Sequence, residues 1–196
     1  TLDGTLFPYT TLFRSDDYLM VGNFFADLLD LKGTQNLPKE FHRGVELHRL
    51  IDSFTDNHES VKEVNKMLHA DHHKYAPVVS DVIFDYFLAQ NWKTYDHRDL
   101  NAFCQFVYVV LKSHLHLLND KHQKMVNSMI NDNFLMKYTS LEGMEFVFNK
   151  MTKRSRYTSN FPKAVDNIVE FHDEINHHFN IFYPDLIKEV NSFCHC

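Results

Sequence analysis

Residues that break helices are scarce in this chain, and this scarcity is what most limits its possible folds. Its 196 residues include 5 Gly and 5 Pro, so few tight turns are available. From Tyr18 onward the apolar residues recur with helical spacing, and 18 Phe and 9 Tyr supply bulky side chains for a core. We therefore predict an all-α fold, a single-domain helical bundle.

The first 15 residues differ from the rest of the chain. They are rich in Thr, contain Pro8 and repeat the triplet Thr-Leu-Phe. The segment resembles translated sequencing-adapter sequence, and the alternative is a disordered tail. Both interpretations place it outside a folded domain that we predict over residues 16–193. On the adapter interpretation the native N-terminus is missing.

Charge and cysteine content limit the expected partners and compartment. The net charge of −6 argues against a nucleic-acid partner bound through overall basicity. Three cysteines do not make a disulfide framework, which fits a reducing compartment. No apolar run approaches the roughly 20 residues that span a membrane, and no signal-peptide pattern opens the chain. We expect a cytoplasmic protein with no membrane partner.

Helical periodicity and the breaks between periodic runs predict the individual helices. We expect helices from Leu37-Pro38 to about Phe54, from Glu59 to about His69, from Pro77 through Leu88, from Asp99 to about Leu118, over 121–132 and 134–151, and from Phe161 with an interruption at Pro184. The fourth of these is apolar on nearly every side and is predicted to be the central helix. The run of His69, Asp71, His72 and His73 is predicted to be mainly a solvated turn, and His172 a core histidine.

The stretch from His48 to His58 carries the clearest chemical pattern. His48, Asp52 and Asp56 follow one another at four-residue steps, which stack on one face of a helix. Asp52 lies about 40° from His48 on the helical wheel, inside an apolar stripe. An unpaired carboxylate there is costly, and a metal or a hydrogen-bonded cation is the usual remedy. Asp56 lies near the predicted helix end, where capping the next helix is the alternative.

A second pair of acids repeats this design on the helix that Pro77 opens. Asp81 and Asp85 are four residues apart and share their face with Phe84 and Leu88. Two acids on one buried face repel each other unless a cation lies between them. A lone buried acid is more often a satisfied structural group, but two such pairs on neighbouring helices favour a shared divalent metal.

One concentrated basic stretch is formed by Lys150, Lys153, Arg154 and Arg156. Cations of this kind are favourable at a helix C-terminus, which is the structural interpretation. The functional interpretation is a docking patch for an anionic group or an acidic partner.

Four blocks of the sequence together resemble a known family. Gly22–Asp27, His48–Asp56, Tyr75–Leu88 and Phe182–Pro184 occur in the order and spacing of the acyl carrier protein phosphodiesterases, also called acyl carrier protein hydrolases. The resemblance covers roughly residues 18–190 as one domain. It implies an all-helical protein that is a divergent relative of the HD metal-dependent phosphohydrolases.

The resemblance also implies an activity and a set of site residues. Members of this family hydrolyse the phosphodiester that joins 4′-phosphopantetheine to a serine of holo-acyl carrier protein, with a divalent metal that is usually Mn²⁺. Carried onto this chain, the metal ligands would be Asp27, His48, Asp52 and Asp85. Asp52, Asp81 and Asp85 would be the catalytic carboxylates. The basic stretch would then dock the acidic carrier protein.

Two departures from the family pattern and three other interpretations stay open. Residues 1–15 replace a segment whose histidine is a candidate ligand, and Tyr86 stands where the family often has His. An HD-type phosphohydrolase acting on a nucleotide is one alternative. A non-catalytic, partner-binding helical domain whose acids are satisfied by Arg49 and lysines is another. An iron site for oxygen chemistry is disfavoured, because paired Glu-x-x-His motifs are absent.

Overall fold

The computed structural model describes residues 16–154 and 160–194, apart from the side chain of Arg154. Within these ranges the chain forms helices and no β-strand, which confirms the all-α prediction. The α-helices are α1 (Asp17–Leu28), α2 (Leu31–Gln35), α3 (His42–Asn57), α4 (Glu59–His72), α5 (Ala76–Gln90), α6 (Trp92–Tyr95), α7 (Leu100–Ser113), α8 (Asp120–Asn131), α9 (Leu141–Arg154), α10 (Lys163–Glu170) and α11 (His172–Cys194). Short 3-10 helices cover Lys39–Phe41, His73–Tyr75, Leu115–Leu117 and Phe134–Thr139.

Helices α1 and α3 pack with their backbones in close contact. A Cβ atom added to Gly22 would lie 2.2 Å from the Phe41 carbonyl oxygen, and one added to Gly44 would lie 2.4 Å from the Leu19 carbonyl oxygen. Only glycine permits this approach. The crossing fixes the relative position of the two helices that carry Asp27 and His48.

Helix α5 is deeply buried, whereas α7, the helix from Asp99 that was predicted to be central, is buried on one face only. Nearly every residue of α5 from Val79 to Leu88 is buried. Helix α7 instead exposes Phe106 and Val109, which are 43% and 68% accessible. The apolar composition of α7 therefore does not place it at the centre of the fold, because only one of its faces meets the core.

Helix α4 continues through His72, so the predicted solvated turn is wrong for this residue. His72 is buried, and its Nε2 lies 2.8 Å from the Asn167 side-chain oxygen. The Asn167 amide in turn donates to the Asp71 carboxylate at 2.8 Å. These contacts with α10 provide hydrogen-bond partners for the side chains of His72 and Asp71, which were predicted to be solvated.

Helix α11 runs without interruption across Pro184, contrary to the prediction of a break there. A proline inside a helix removes one hydrogen bond and crowds the preceding turn. The buried face that includes Tyr183 and Leu186 continues past it, so packing outweighs this cost. The prediction of a core histidine at His172 is also wrong, because this residue is exposed, with its ring 5.3 Å from that of Phe87.

Two helix boundaries differ from the predicted ones because a 3-10 turn precedes the α-helix. The expected helix over 134–151 divides into the 3-10 helix Phe134–Thr139 and α9, and α3 follows the 3-10 turn Lys39–Phe41 and extends to Asn57. The Leu135 N–H donates to the Tyr108 hydroxyl at 2.8 Å and so ties the first of these turns to α7. None of the helices in the described ranges combines the length and apolarity needed to cross a bilayer.

Candidate active site

His48 and Asp52 form a pair at the mouth of the candidate site. The His48 Nε2 lies 3.2 Å from an Asp52 carboxylate oxygen, and the two side chains are 12% and 49% accessible. The apolar stripe was predicted to bury both, but Asp52 is half exposed. Burial lowers the pKa of His48, an effect opposed by the Asp52 charge. The neutral imidazole that this favours is the form that binds metals.

Asp81 lies deeper and is surrounded by other carboxylates. Burial, followed by the charges of Asp56, Asp52 and Asp27, raises its pKa from 3.8 to about 8. Such an effect requires these acids to be close, so α1, α3 and α5 bring four carboxylates together. Of the three charges, that of Asp56 has the largest effect on the pKa of Asp81. The sequence pattern had left open whether Asp56 belongs to the site or caps the next helix.

Asp85 is fully buried behind this cluster and has a neighbour that the sequence pattern did not reveal. Its accessibility is 0%, and the buried Tyr138 lies close enough for the Asp85 charge to act on its phenol. Burial, with the neighbouring Asp85 charge, raises the pKa of Tyr138 well above its usual range, so the phenol keeps its proton. Tyr138 lies in a 3-10 turn far along the chain, where no periodic pattern indicated a site. The one available signal was that a buried Asp85 requires a donor.

The donor types of this cluster suit a divalent cation. One imidazole and several carboxylates match the ligands that Mg²⁺ or Mn²⁺ accept, and such an ion would relieve the repulsion that raises the pKa of Asp81. In residues 16–154 and 160–194, however, no three His, Cys, Asp or Glu side chains already converge as a metal site. Binding an ion would therefore require these side chains to rotate, or a ligand from outside these ranges.

Arg49 lies at the rim of the cluster but does not neutralise it. It is exposed and close enough to His48 to contribute to the lowered pKa of that histidine. Arg49 forms no ion pair with any residue in the part of the chain that the structure describes. The alternative of a non-catalytic helical domain predicted an ion pair between Arg49 and the acids. The described residues do not show that ion pair.

The predicted basic docking stretch is only partly described. The Lys150 ammonium pairs with the Asp132 carboxylate and lies 5.5 Å and 5.2 Å from the ring centroids of Phe134 and Phe146. Lys153 is exposed. The side chain of Arg154 and all of Arg156 lie outside the described residues, as does the predicted N-terminal segment 1–15.

A comparison with known protein families bears on the whole of this helical domain. The family model described as acyl carrier protein phosphodiesterase matches residues 10–186. This chain belongs to the acyl carrier protein phosphodiesterase family. The resemblance carried by the four sequence blocks is thereby confirmed, and the match begins within the segment 1–15.

Individual relatives in the acyl carrier protein phosphodiesterase family are distant but cover nearly the full domain. An acyl carrier protein phosphodiesterase of Photorhabdus laumondii is 24% identical over 90% of this chain and 89% of its own length. One from Yersinia enterocolitica is 25% identical, with 89% and 91% covered. One from Klebsiella pneumoniae strain 342 is 26% identical, with 88% and 90% covered. No solved structure matches the chain.

Proposed function

We propose that this protein acts in the cytoplasm as a metal-dependent phosphodiesterase. Its substrate would be holo-acyl carrier protein, from which it releases 4′-phosphopantetheine and the apo-protein. The observation that carries the proposal is the cluster of Asp27, Asp52, Asp56 and Asp81, in which mutual repulsion and burial raise the pKa of Asp81 to about 8. Membership of a family named for this activity supports the choice of substrate.

The proposed ligands of a divalent cation, Mn²⁺ by the family resemblance, are Asp27, His48, Asp52 and Asp85. A bound cation would lower the pKa of water and neutralise charge on the phosphoryl oxygens. Asp52 holds the His48 imidazole through their 3.2 Å contact. The buried Tyr138 phenol lies near Asp85 on the interior side, where it would orient the carboxylate towards the cation.

Asp81 is the group that exchanges a proton near neutral pH. Its ionised form accepts the proton of the attacking water as the new oxygen–phosphorus bond forms. Its protonated form then returns that proton to the serine oxygen as the old bond breaks. Its pKa of about 8 belongs to the protein without a metal, and a bound cation would lower this pKa and so favour the ionised form that accepts the proton. Exposed and unpaired in the described structure, Arg49 supplies a positive contact for the phosphate oxygens at the rim.

A mobility-shift assay that separates holo- from apo-carrier protein tests this proposal. We expect conversion by the wild-type protein with Mn²⁺, none with a chelator, and a loss of at least about 100-fold in Asp52→Ala. Glu145→Ala is the matched control, because Glu145 is exposed and forms no ion pair in the described residues. Equal activity of the Asp52→Ala variant would overturn the site assignment. Cleavage of free nucleotides instead of the carrier protein would overturn the substrate.

A further inference from the structure

A second concave surface lies next to the acidic cluster, where α4 meets α5. We name it the α4–α5 groove. It has a volume of about 470 Å³, and its lining includes Lys66, His69, His73 and Lys74 together with Ala76 and Pro77.

The groove adjoins the candidate active site along α5. Pro77 and Asp81 are four residues apart on this helix, which places their Cβ atoms about 6 Å apart on neighbouring turns. The Ser80 hydroxyl donates to the Asn65 side-chain oxygen at 2.6 Å and fixes α4 against α5 at this level. A molecule bound in the groove therefore lies within one helical turn of the group proposed to move protons.

The lining of the groove suits an acidic protein surface. The side chains of Lys66, His69, His73 and Lys74 are all exposed. Lys66 contacts Glu63 at 2.6 Å, but this is a surface pair, of the kind that contributes little to stability and exchanges partners readily. The pantetheine arm beyond its phosphate is uncharged and would gain nothing from lysines, whereas carboxylates on a protein would.

The backbone conformation of His73 is costly for this residue type. His73 follows the last residue of α4 and has φ 49° and ψ −123°. Residues other than glycine rarely adopt these backbone angles. Glycine is the usual residue just past a helix C-terminus for this reason. The imidazole placed here is exposed and lines the groove, with its ring 5.8 Å from that of His69. The strained conformation therefore presents an exposed side chain to the groove.

We propose that the α4–α5 groove docks acidic side chains of the carrier protein beside the serine that bears the prosthetic group. This inference rests on the proposed function and adds the surface that recognises the protein part of the substrate. It is separate from the basic stretch at Lys150 and Lys153, which lies on α9.

Charge reversal in the groove gives the first test. We expect the double variant Lys66→Glu/Lys74→Glu to raise KM for holo-carrier protein about tenfold at low ionic strength, with kcat unchanged. The effect should shrink as salt is added. The matched control is Lys112→Glu/Lys124→Glu, which changes the net charge equally at two exposed lysines outside the groove. An unchanged KM in the groove variant, or an equal rise in the control, would overturn the proposal.

His73→Gly gives a second test in which stability and binding move in opposite directions. Relief of the strained conformation should raise Tm by about 2–4 °C. Loss of the imidazole should raise KM for the carrier protein about threefold. A higher Tm with wild-type KM would show that His73 has no part in docking.

Binding of apo-carrier protein separates this inference from the proposed activity, because no bond is cleaved. We expect the Lys66→Glu/Lys74→Glu variant to bind apo-carrier protein more weakly in a calorimetric titration, and 4′-phosphopantetheine as strongly as wild type. Weakened binding of 4′-phosphopantetheine alone would assign the groove to the prosthetic group and overturn the proposal. Failure of wild type to cleave holo-carrier protein would refute the proposed function, while the apo-carrier titration would still decide the groove.

Discussion

Asp81 and Asp85 lie one turn apart on α5, but their neighbours differ in kind. Asp81 faces the carboxylates of Asp56, Asp52 and Asp27, which raise its pKa together with burial. Asp85 instead lies near the buried phenol of Tyr138, and its charge contributes to the raised pKa of that phenol. Burial and repulsion therefore favour the protonated form of Asp81, whereas the neighbour of Asp85 is a phenol that keeps its proton. Two acids of identical chemistry are therefore suited to different tasks.

The raised pKa of Asp81 makes the stability of the metal-free protein depend on pH. Its folded pKa of about 8 exceeds the ordinary value of 3.8, so between these values the folded state binds more protons than the unfolded chain. Stability therefore falls as the pH rises from about 4 to 8. Asp81→Asn cannot ionise and should stabilise the metal-free protein by roughly 2 kcal/mol at pH 8, with little effect at pH 4. Thermal unfolding in chelator at both pH values measures this, and an identical pH slope in both proteins would contradict it.

Tyr138→Phe tests whether the buried hydroxyl positions Asp85. The substitution removes the hydroxyl beside Asp85 and keeps the ring, so we expect kcat and Mn²⁺ affinity to fall by about tenfold or more while KM for the carrier protein is unchanged. Tyr95→Phe is the matched control, because its hydroxyl donates to Asn180 at 2.7 Å, a contact between α6 and α11. Wild-type kcat and Mn²⁺ affinity in Tyr138→Phe would exclude the positioning role.

At the scale of elements, the site depends on how closely α1 approaches α3. A Cβ atom on Gly44 would lie 2.4 Å from the Leu19 carbonyl oxygen and 2.7 Å from the Asn23 nitrogen, both backbone atoms that cannot rotate away. Gly44→Ala should therefore force the helices apart and destabilise the protein by about 2–3 kcal/mol. Chemical denaturation measures the change, and activity should fall with it, because Asp27 and His48 lie on the separated helices.

Gly33→Ala is the control for this prediction. A Cβ atom there would meet mainly side-chain atoms, the nearest being the Leu29 Cβ at 3.1 Å. The better helix propensity of alanine offsets that contact, so we expect a change within about 1 kcal/mol. Equal losses in the two variants would mean that the α1–α3 crossing is not specially constrained.

Periodicity predicted the helices that carry the acids but not the elements that complete the site. The four-residue steps at His48 and Asp81 correctly indicated helices whose acids share a face. The same patterns could not reveal that Asp52 is half exposed, because accessibility depends on where neighbouring helices end. Tyr138 escaped detection since a short 3-10 turn has no periodic signal. The uninterrupted helix at Pro184 likewise depends on tertiary packing that local propensity does not contain.

At the scale of the whole molecule, the protein and its proposed substrate repel each other. The chain carries a net charge of −6, and the family resemblance implies an acidic carrier protein as its substrate. Productive encounter must therefore depend on local cations, and its rate should change with ionic strength. The exposed Lys153 on α9 is one such cation, whereas Lys150 is already paired with Asp132.

Reversing charges in the basic stretch tests its predicted role in docking. We expect Lys153→Glu/Arg156→Glu to raise KM for the carrier protein about threefold at low salt and to leave Mn²⁺ affinity unchanged. Lys150→Glu should also destabilise the fold, because it sets two carboxylates against each other at Asp132. Steady-state kinetics with a parallel Mn²⁺ titration measure both quantities. An unchanged KM in the double variant would show that the basic stretch does not take part in docking the carrier protein.

The 3-10 helix Phe134–Thr139 joins the interior of the site to the outer surface within two turns. Tyr138 lies near Asp85, while the ring of Phe134 lies 5.5 Å from the Lys150 ammonium. Its far end is pinned, since a Cβ atom on Gly143 would lie 1.9 Å from the Lys137 carbonyl oxygen. Each residue of such a helix turns the chain by about 120°. An insertion or deletion of one residue here would rotate the Tyr138 phenol out of the interior. The length of this segment is therefore constrained. We expect family members to differ in the residue types of this segment but not in its number of residues.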